Sequence, residues 1–543
     1  MVSTEKIFSE FKEHSVAEFF KKNKQMLGFS GKIRSLTTIV HEYVTNSLDA
    51  CEEARILPDI KVEIFSSSDK EGVYKVRVED NGPGIPKQHL GKALGMMLAG
   101  TKFHRYAQQR GQQGIGASGC TMYAQLTTGK PILAVSRYDK KKITCNISID
   151  FKTNRPNMEN MVEEDLSEEA HGLVIEGEFG ECKYDKSSYG VFEYIKRTAL
   201  ANPHANILFV GPDGQSVTFP RSSEEIPPKP KEVLPHPLGL STYDIIDYAH
   251  RDTQSTRISS FLQSRFSRVS SSKVKELEAI AKGVDFKKKP TELEWAEAEE
   301  LVNAIKSVKW IAPATDSLIP IGKAQIEKSL KNILNPQFLV VSERSPKIYR
   351  GGVPFLVEIA LAYGGDAGRQ SGDIREGDII RYANRAPLVF DSAGCAITKA
   401  VKEIDWRRYG IRDFDQEPLT VFINLVSVHV PYTGAGKQAI AEEEEIVSEI
   451  KNAVMETARQ LQKYLHGLIR ESEKSGRKKA IMRYVSQLAL DLAELSGEAS
   501  ANELEKRMIK LIEEKFSSLT IEEDSEEYDD EPVKEEEAKE EDL

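Results

Sequence analysis

Apolar residues recur at helical spacing from Ile33 to Ala54, whereas Lys61-Val62-Glu63-Ile64-Phe65 and Tyr74-Lys75-Val76-Arg77-Val78 alternate with period two, as half-buried strands do. Such mixing predicts an α+β sandwich. Pro227, Pro228, Pro230, Pro235 and Pro237 then crowd the stretch from Pro220. They deny helix and sheet their backbone donors, so a linker and a domain boundary are expected there. From Ser241 to about Gly322 the pattern is helical in short pieces, Thr242–Ala249, Ile258–Phe266 and Lys273–Ala281, and serines 270–272 offer the third an N-cap. Strand patterns return at Phe338–Val341, Pro354–Ala362, Ile379–Phe390 and Leu419–Val430, with helical Ala396–Ile404 between the last two as in a βαβ unit. Beyond Gln438 the helical period runs almost to Phe516, with breaks expected at Ser475-Gly476 and Ser496-Gly497. Ile521–Leu543 has no apolar periodicity and is expected to be disordered. The chain is thus expected to be α+β and multidomain: a sandwich at 1–230, a helical insert at 231–320, a second α+β domain with a long helix at 321–475, helices at 476–520 and a tail at 521–543.

With 543 residues, 40% hydrophobic and 29% charged, the composition is that of soluble globular protein. The best apolar run, Val353–Tyr363, is broken by Glu358 and falls short of the ~20 residues that span a bilayer, so no membrane association is expected. Residues 1–6 lack the apolar stretch of a signal peptide. Cys51, Cys120, Cys145, Cys182 and Cys395 are scattered and never form a C-x-x-C pair, which fits a reducing interior and no zinc site. The net charge of −11 argues at first against nucleic acid. Yet the last 23 residues hold fourteen acidic and two basic side chains, and the rest is nearly neutral, with 72 basic against 71 acidic. Arg251–Lys289 holds ten basic and four acidic residues. That stretch is either a solvated helical face or a phosphate-binding patch, and composition does not choose between them.

Three motifs in the first domain carry candidate chemistry. In His41-Glu42-Tyr43-Val44-Thr45-Asn46-Ser47-Leu48-Asp49-Ala50, Glu42 and Asn46 stand four apart on one helical face. A carboxylate so placed can deprotonate water, and an amide oxygen suits Mg²⁺; an exposed polar stripe gives the same spacing. Glu79-Asp80-Asn81-Gly82-Pro83-Gly84 follows a strand, so Asp80 can accept a hydrogen bond from an exocyclic amine, unless the segment is only a tight turn. Gly111-Gln112-Gln113-Gly114-Ile115-Gly116-Ala117-Ser118 runs into a helix and suits phosphates. Its glycine order excludes a Rossmann site, and Gly434-Ala435-Gly436-Lys437-Gln438 lacks the first glycine and the Ser/Thr of a P-loop.

Taken in order, these motifs resemble the Bergerat ATP site shared by gyrase, Hsp90-type chaperones, MutL and histidine kinases. The resemblance implies Mg²⁺ and ATP as cofactors, Glu42 as general base, Asn46 as metal ligand and Asp80 as adenine reader. Gly84, Thr101, Lys102 and the lid formed by Gly111, Gln112, Gln113, Gly114, Ile115, Gly116 and Ala117 would complete the ATP site. Over most of the chain, the domain order, Arg381-Tyr382-Ala383-Asn384-Arg385-Ala386-Pro387-Leu388 and Trp406-Arg407-Arg408-Tyr409 are similar to the topoisomerase VI B-subunit family. By that likeness the insert is a helix-two-turn-helix module and the second α+β domain a transducer, whose Lys437 reaches the γ-phosphate. Arg265, Arg268 and Lys273, with Trp406, Arg407, Arg408 and Tyr409, are the candidate DNA contacts; the family often has W-K-x-Y at the last motif, and Arg407 keeps its charge. Leu173 stands where many related ATPases have threonine, so no role is assigned there. An immunoglobulin-like domain found in some members is expected to be absent. None of the 18 tyrosines lies in a motif of a DNA-cleaving nucleophile.

The expected function is therefore an ATP-hydrolysing clamp that dimerises on ATP binding, traps double-stranded DNA and signals a separate cleavage subunit, as an A2B2 heterotetramer in the cytoplasm of an archaeal-type cell. The alternative is an ATP-gated chaperone or a DNA clamp without a cleavage partner. A histidine kinase would need a phosphoacceptor helix within the 41 residues before Glu42.

Overall fold

The structure, a computed structural model, describes residues 15–67, 70–100, 106–111, 114–434, 436–497 and 500–522. The chain divides into two compact units, Met1–Leu461 and Gln462–Leu543.

The first unit begins with α1 (Val16–Lys22), α2 (Lys32–Ala54), β1 (Asp59–Ser66), β2 (Tyr74–Asp80), α3 (Lys87–Gly95) and α4 (Gly116–Thr128). It continues with β3 (Ile132–Tyr138), β4 (Lys141–Asp150), β5 (Arg155–Asp165), β6 (Gly172–Phe179), α5 (Val191–Ala201), β7 (Asn206–Val210) and β8 (Ser216–Phe219). The strands form one sheet in the order β5-β4-β3-β6-β2-β1-β7-β8, antiparallel except where β1 meets β7. Alternation along β1 buries Ile60, Val62 and Ile64 while their neighbours stay partly exposed, as the period-two pattern requires. The buried face of the sheet packs on α2, α4 and α5; α2 contributes Leu36, Ile39, Val40, Tyr43, Val44 and Leu48. Residues 220–236 form no regular element.

The insert contains α6 (Thr242–Arg251), α7 (Ile258–Arg265), α8 (Ser271–Ile280) and α9 (Trp295–Ser307) around a core of Ile245, Phe261, Phe266, Leu277, Leu301 and Ile305. Ser241 and Asp244 cap α6 reciprocally, and the Ser270 hydroxyl accepts from the Lys273 amide to start α8.

After α10 (Lys323–Leu334) come β9 (Phe338–Glu343), β10 (Lys347–Tyr349), β11 (Val353–Tyr363), β12 (Arg369–Ser371), β13 (Ile374–Glu376), β14 (Asp378–Ala383), β15 (Ala386–Pro387), α11 (Ala396–Lys402) and β16 (Leu419–Ser427). The second sheet runs β10-β11-β16-β14-β15, with β9 also on β11. β14 and β16 are parallel and α11 lies between them in sequence, which makes the expected βαβ unit. The stretch Ile379–Phe390 is not one strand: it turns at Asn384-Arg385, where both residues take positive φ.

β11 and β16 are buried on both faces, which explains their near-continuous apolar runs. Glu358 interrupts the first run for a reason. Fully buried, its carboxylate accepts from the amides of Ile321 (3.0 Å) and Gly322 (2.7 Å) at the start of α10 and from Asn424 Nδ2 (2.7 Å). A carboxylate there neutralises helix-terminal donors that lack a side-chain cap.

α12 (Glu444–Ser496) passes unbroken through Ser475-Gly476, contrary to expectation. One solvent-exposed glycine costs only about 1 kcal/mol in a helix, which 53 residues of continuous hydrogen bonding absorb. The second expected break is present: Gly497 is left-handed, and its amide closes on Ala493 O. In the second unit, α13 (Ala501–Glu522) follows; Ser486 Oγ meets Glu505 at 2.5 Å, and Val485 and Ala489 are buried. Ile521 and Glu522 thus belong to a helix, and the remainder of the expected tail lies outside the described residues.

Burial raises the Glu358 carboxyl from its ordinary 4.5 to about 6, against its three hydrogen bonds. Its stabilising contribution is therefore full below pH 4.5 and is lost as pH rises through about 6. Glu358→Gln is expected to remove that component from the thermal midpoint measured between pH 4.5 and 7; an unchanged slope would assign it elsewhere.

Candidate active site

α2 buries one face and turns Glu42 and Asn46 the other way, onto a cavity of about 330 Å³. That cavity gathers Glu42, Asn46, Asp80, Gly84, residues 114–117 and Lys437 from four separate segments. A volume of this size is in the range of small-molecule sites.

Asp80 ends β2 and is buried. Ser47 Oγ donates to its Oδ2 (2.7 Å), and the amides of Gly82 (2.9 Å) and Leu173 (3.2 Å) donate to Oδ1. Burial raises the carboxyl; these three bonds pull it the other way and fix its plane. β6 approaches closely because Gly172, at φ 133°, has no side chain: a Cβ there would stand 2.3 Å from Asp80 O. Gly84, at φ 73°, is equally constrained, its absent Cβ falling 2.1 Å from Arg137 O. Leu173 and Ile175 give the Asp80 end of the cavity an apolar wall. A flat heteroaromatic ring with an exocyclic amine suits such a slot.

At the other end stands the first turn of α4. Its N-cap, Ile115, supplies no side-chain acceptor, so amides at the helix start face the cavity with the positive end of the helix dipole. A Cβ on Gly116 would lie 1.8 Å from Glu42 Oε2, so glycine is what lets the carboxylate sit against this turn. His41 lines the cavity beside Glu42; burial lowers its pKa, Glu42 opposes that and Lys437 adds to it.

Lys437 reaches the cavity from the second α+β domain. Tyr432 bridges to Ile440, and Gln438 Oε1 accepts from the amides of Val389 and Phe390, both at 3.2 Å. Arg381, buried, donates to the carbonyls of Leu388 and Phe390 at 2.8 Å, and Arg34 pairs in bidentate fashion with Asp391 at 2.9 Å. So anchored, the loop extends Lys437 Nζ to within 3.5 Å of Arg110 O.

The cavity therefore brings together Glu42, Asn46, Asp80, Gly84, Gly111, Gly114, Ile115, Gly116, Ala117 and Lys437. Thr101, Lys102, Gln112 and Gln113 lie outside the described residues. Sequence reasoning passed over Ser47 and Leu173. Ser47 stood inside the recognised motif, next to Asn46; Leu173 contributes a backbone amide, which residue type does not reveal.

The candidate DNA contacts are differently placed. Arg265 pairs with the buried Asp252 (3.3 Å), Arg268 Nε donates to Ala312 O (3.2 Å), and Lys273 pairs with Glu276 (2.7 Å) while lying 5.7 Å from the Trp310 ring. Arg407 and Arg408 are 79% and 80% exposed. Trp406 is only 7% exposed; its indole N–H donates to Val401 O (3.1 Å), its ring lies 5.3 Å from Phe414, and Tyr409 is half-buried. Asp413 and Asp415 form a turn, the first carboxylate accepting the second residue's amide.

Residues 31–153 match the family described as histidine kinase-, DNA gyrase B- and HSP90-like ATPase, and residues 313–479 match the topoisomerase VI B subunit transducer. The B subunit of type 2 DNA topoisomerase 6 from Methanothermobacter thermautotrophicus is 47% identical over 484 residues, 88% of this chain and 91% of that one. Its counterpart in Pyrococcus horikoshii is 44% identical over 568 aligned positions, 96% of this chain and 98% of that one.

The burial of Trp406 gives a direct test of its place. Trp406→Ala is expected to destabilise the protein by about 3–5 kcal/mol, seen as a lower denaturant midpoint, whereas Arg407→Ala should stay within about 0.5 kcal/mol. Equal effects would contradict the inward placement of the indole.

Proposed function

The chain belongs to the family of type 2 DNA topoisomerase 6 B subunits, the ATPase subunits of a type II topoisomerase, and on that premise we propose that it is an ATP-gated clamp on duplex DNA. The observation that carries the reading is the convergence of Glu42, the open start of α4 and Lys437 on one cavity. In this reading Asp80 takes the amine of adenine, and Leu173 and Ile175 cover the ring. The amides at 114–117 and Lys437 Nζ hold the phosphates, neutralising charge where it accumulates during transfer. Glu42 orients a water and accepts its proton, and His41, held neutral by burial, donates or accepts a hydrogen bond beside it.

The donor set also fits a hard cation: the exposed Asn46 amide oxygen stands one helical turn from Glu42 on the cavity side. Asn46 would hold Mg²⁺, which when bound shields phosphate charge.

Two copies close on ATP and enclose a duplex, and the transducers and long helices pass nucleotide state to a separate subunit that cuts and rejoins the second duplex. The relatives are each one lettered subunit of a topoisomerase, the B subunit, which supports such a partner. Arg407 and Arg408, both largely exposed, and the basic helices of the insert supply sequence-independent phosphate contacts. A transducer match over residues 313–479 favours this reading over a chaperone.

Glu42→Ala is expected to bind ATP with affinity within about threefold of the parent and to lose at least 10²-fold in kcat; undiminished turnover would remove Glu42 as base. Gly116→Ala, by driving a Cβ into Glu42 Oε2, should lower kcat with little change in thermal midpoint. Relaxation of supercoiled DNA should require ATP, this chain and a cleavage subunit together, and relaxation by this chain alone would overturn the division of labour.

A further inference from the structure

Residues 106–111 lead into the lid, and four of the six, Tyr106, Gln108, Gln109 and Arg110, are held from outside the ATPase sheet. Tyr106 O accepts from the Val233 amide (2.9 Å), and its ring stacks on His429 at 6.4 Å. Gln108 makes a reciprocal pair with the backbone of Ile319, at 2.8 and 2.7 Å. Gln109 O accepts from Asn384 Nδ2 (3.1 Å), and Arg110 O from Lys437 Nζ (3.5 Å). The Arg110 guanidinium, buried at the edge of the nucleotide cavity, bonds Asp49 (2.7 Å), Glu52 (2.6 Å) and Asn202 (2.6 Å). Glu52 in turn accepts from Arg385 (3.1 Å). Burial alone would raise the Glu52 carboxyl, but Arg110 and Arg385 hold it well below the usual range, so it stays ionised between two guanidiniums.

Asn384 and Arg385 form the turn between β14 and β15. Both are buried and both are left-handed, at φ 49° and 69°. Side-chain-bearing residues adopt that backbone at an energetic cost, and asparagine bears it better than arginine. The turn is tied to β16: Asn384 Nδ2 donates to Ser427 O (2.9 Å), the Ser427 amide donates to Asn384 Oδ1 (3.0 Å), and the Arg385 amide donates to Asn424 Oδ1 (3.1 Å). Yet Arg385 Nε and Nη1, Arg110 Nε and Gln109 Oε1 are buried with no hydrogen-bond partner among the described residues. All three residues line a second cavity of about 300 Å³, next to Asp49 and Glu53. Strained, fixed on one side, and facing this volume with unpaired Arg385 donors, the turn has room for a small displacement.

We propose that the Asn384–Arg385 turn is the transducer's sensor of the nucleotide site, gripping the strap at Gln109 directly and at Arg110 through Glu52. The proposal rests on the ATP-gated reading above and deepens it. Lys437 responds to a phosphate; the turn responds to the strap that carries the lid. Movement of the strap on ATP binding is thus passed to β14 and β16 through two side chains that touch neither base nor phosphate. Both are positioning residues, and losing their contacts slows turnover and strand passage without removing the nucleotide site.

The test uses the full chain assembled with its cleavage subunit. Asn384→Asp keeps Oδ1 and tolerates left-handed backbone but deletes the Nδ2 donor to both Gln109 O and Ser427 O. It is expected to leave the ADP dissociation constant within about twofold while kcat for ATP falls about tenfold with KM little changed, and DNA relaxation falls at least as far. Arg385→Lys, which keeps the charge without the fork, should show the same split. A variant with a lower thermal midpoint but parental kcat and relaxation would overturn the proposal, because the turn would then be structural only. A second measurement needs no substitution: hydrogen exchange of the unmodified chain should slow at residues 384–388 when a non-hydrolysable ATP analogue is added. Unchanged exchange there, with the analogue shown by calorimetry to be bound, would overturn the sensor; failure of the analogue to bind would instead count against the ATP-gated reading itself.

Discussion

A helix start without a side-chain cap leaves N–H groups that must find an acceptor, and this constraint organises both α+β domains. α4 and α10 begin alike, with no capping side chain. At α10 the protein supplies its own acceptor, the buried Glu358, and so locks the helix to β11 and to Asn424 of β16. At α4 the amides open onto a cavity instead, with Glu42 against the same turn because residue 116 has no side chain. One open helix start is completed by folding and the other is left for an anionic ligand. The order of the elements around the cavity follows from this: α2 presents its polar pair toward α4, β6 presses on Asp80 through Gly172, and the 431–440 loop brings Lys437 to the end of the cavity where Glu42 and the α4 amides meet.

The first of these features was legible in sequence because it is local. Glu42 and Asn46 are one helical turn apart, Asp80 directly precedes its glycines, and the lid glycines sit at the start of a helix, so residue types and spacing describe the geometry. The α+β alternation and the serine cap of α8 were legible for the same reason. What sequence did not reveal depends on contacts between distant segments. Trp406 and Tyr409, three apart, read on their own as packing aromatics and only by family likeness as a DNA contact; which groups they pack on, Val401 at the indole N–H and Phe414 at its face, is not in the spacing. Ile379–Phe390 reads as one strand because Asn384 and Arg385 have no glycine to announce a left-handed turn. Gly476 reads as a break because spacing does not convey that an exposed helix tolerates a single glycine.

Charge needs the same distinction. The formal −11 belongs to the last 23 residues, and the rest of the chain is close to neutral. Within the insert, though, Arg251, Arg265, Lys273 and Lys288 are in ion pairs with carboxylates. Their charges are spent in part on the insert itself, so the local excess of six overstates what that face presents to a polyanion. The two more exposed pairs, Arg251 with Asp247 and Lys273 with Glu276, are worth little and exchange readily, so phosphates arriving at the surface can compete for those two cations. Binding by such a surface would weaken with salt and would not depend on base sequence, as the proposed clamp on duplex DNA requires.

A ligand shifts a conformational equilibrium only to the extent that it contacts two states differently. Lys437 alone would meet that requirement for a γ-phosphate, since it can bond either to phosphate or to Arg110 O but not equally to both. A single flexible lysine, however, transmits little force to a sheet. Arg110 is where that contact meets a rigid path: its carbonyl takes Lys437, and its guanidinium joins α2, through Asp49 and Glu52, to Arg385 at the tip of β14. β14 is bonded along its length to β16, and the amide of Gly322, at the start of α10, to Glu358 of β11. A shift of the strap by a fraction of an ångström is therefore passed along a continuous run of charged hydrogen bonds, through the buried Arg110 and Arg385 and the half-buried Asp49 and Glu52. It must be accommodated where spare volume exists, at the Asn384–Arg385 turn.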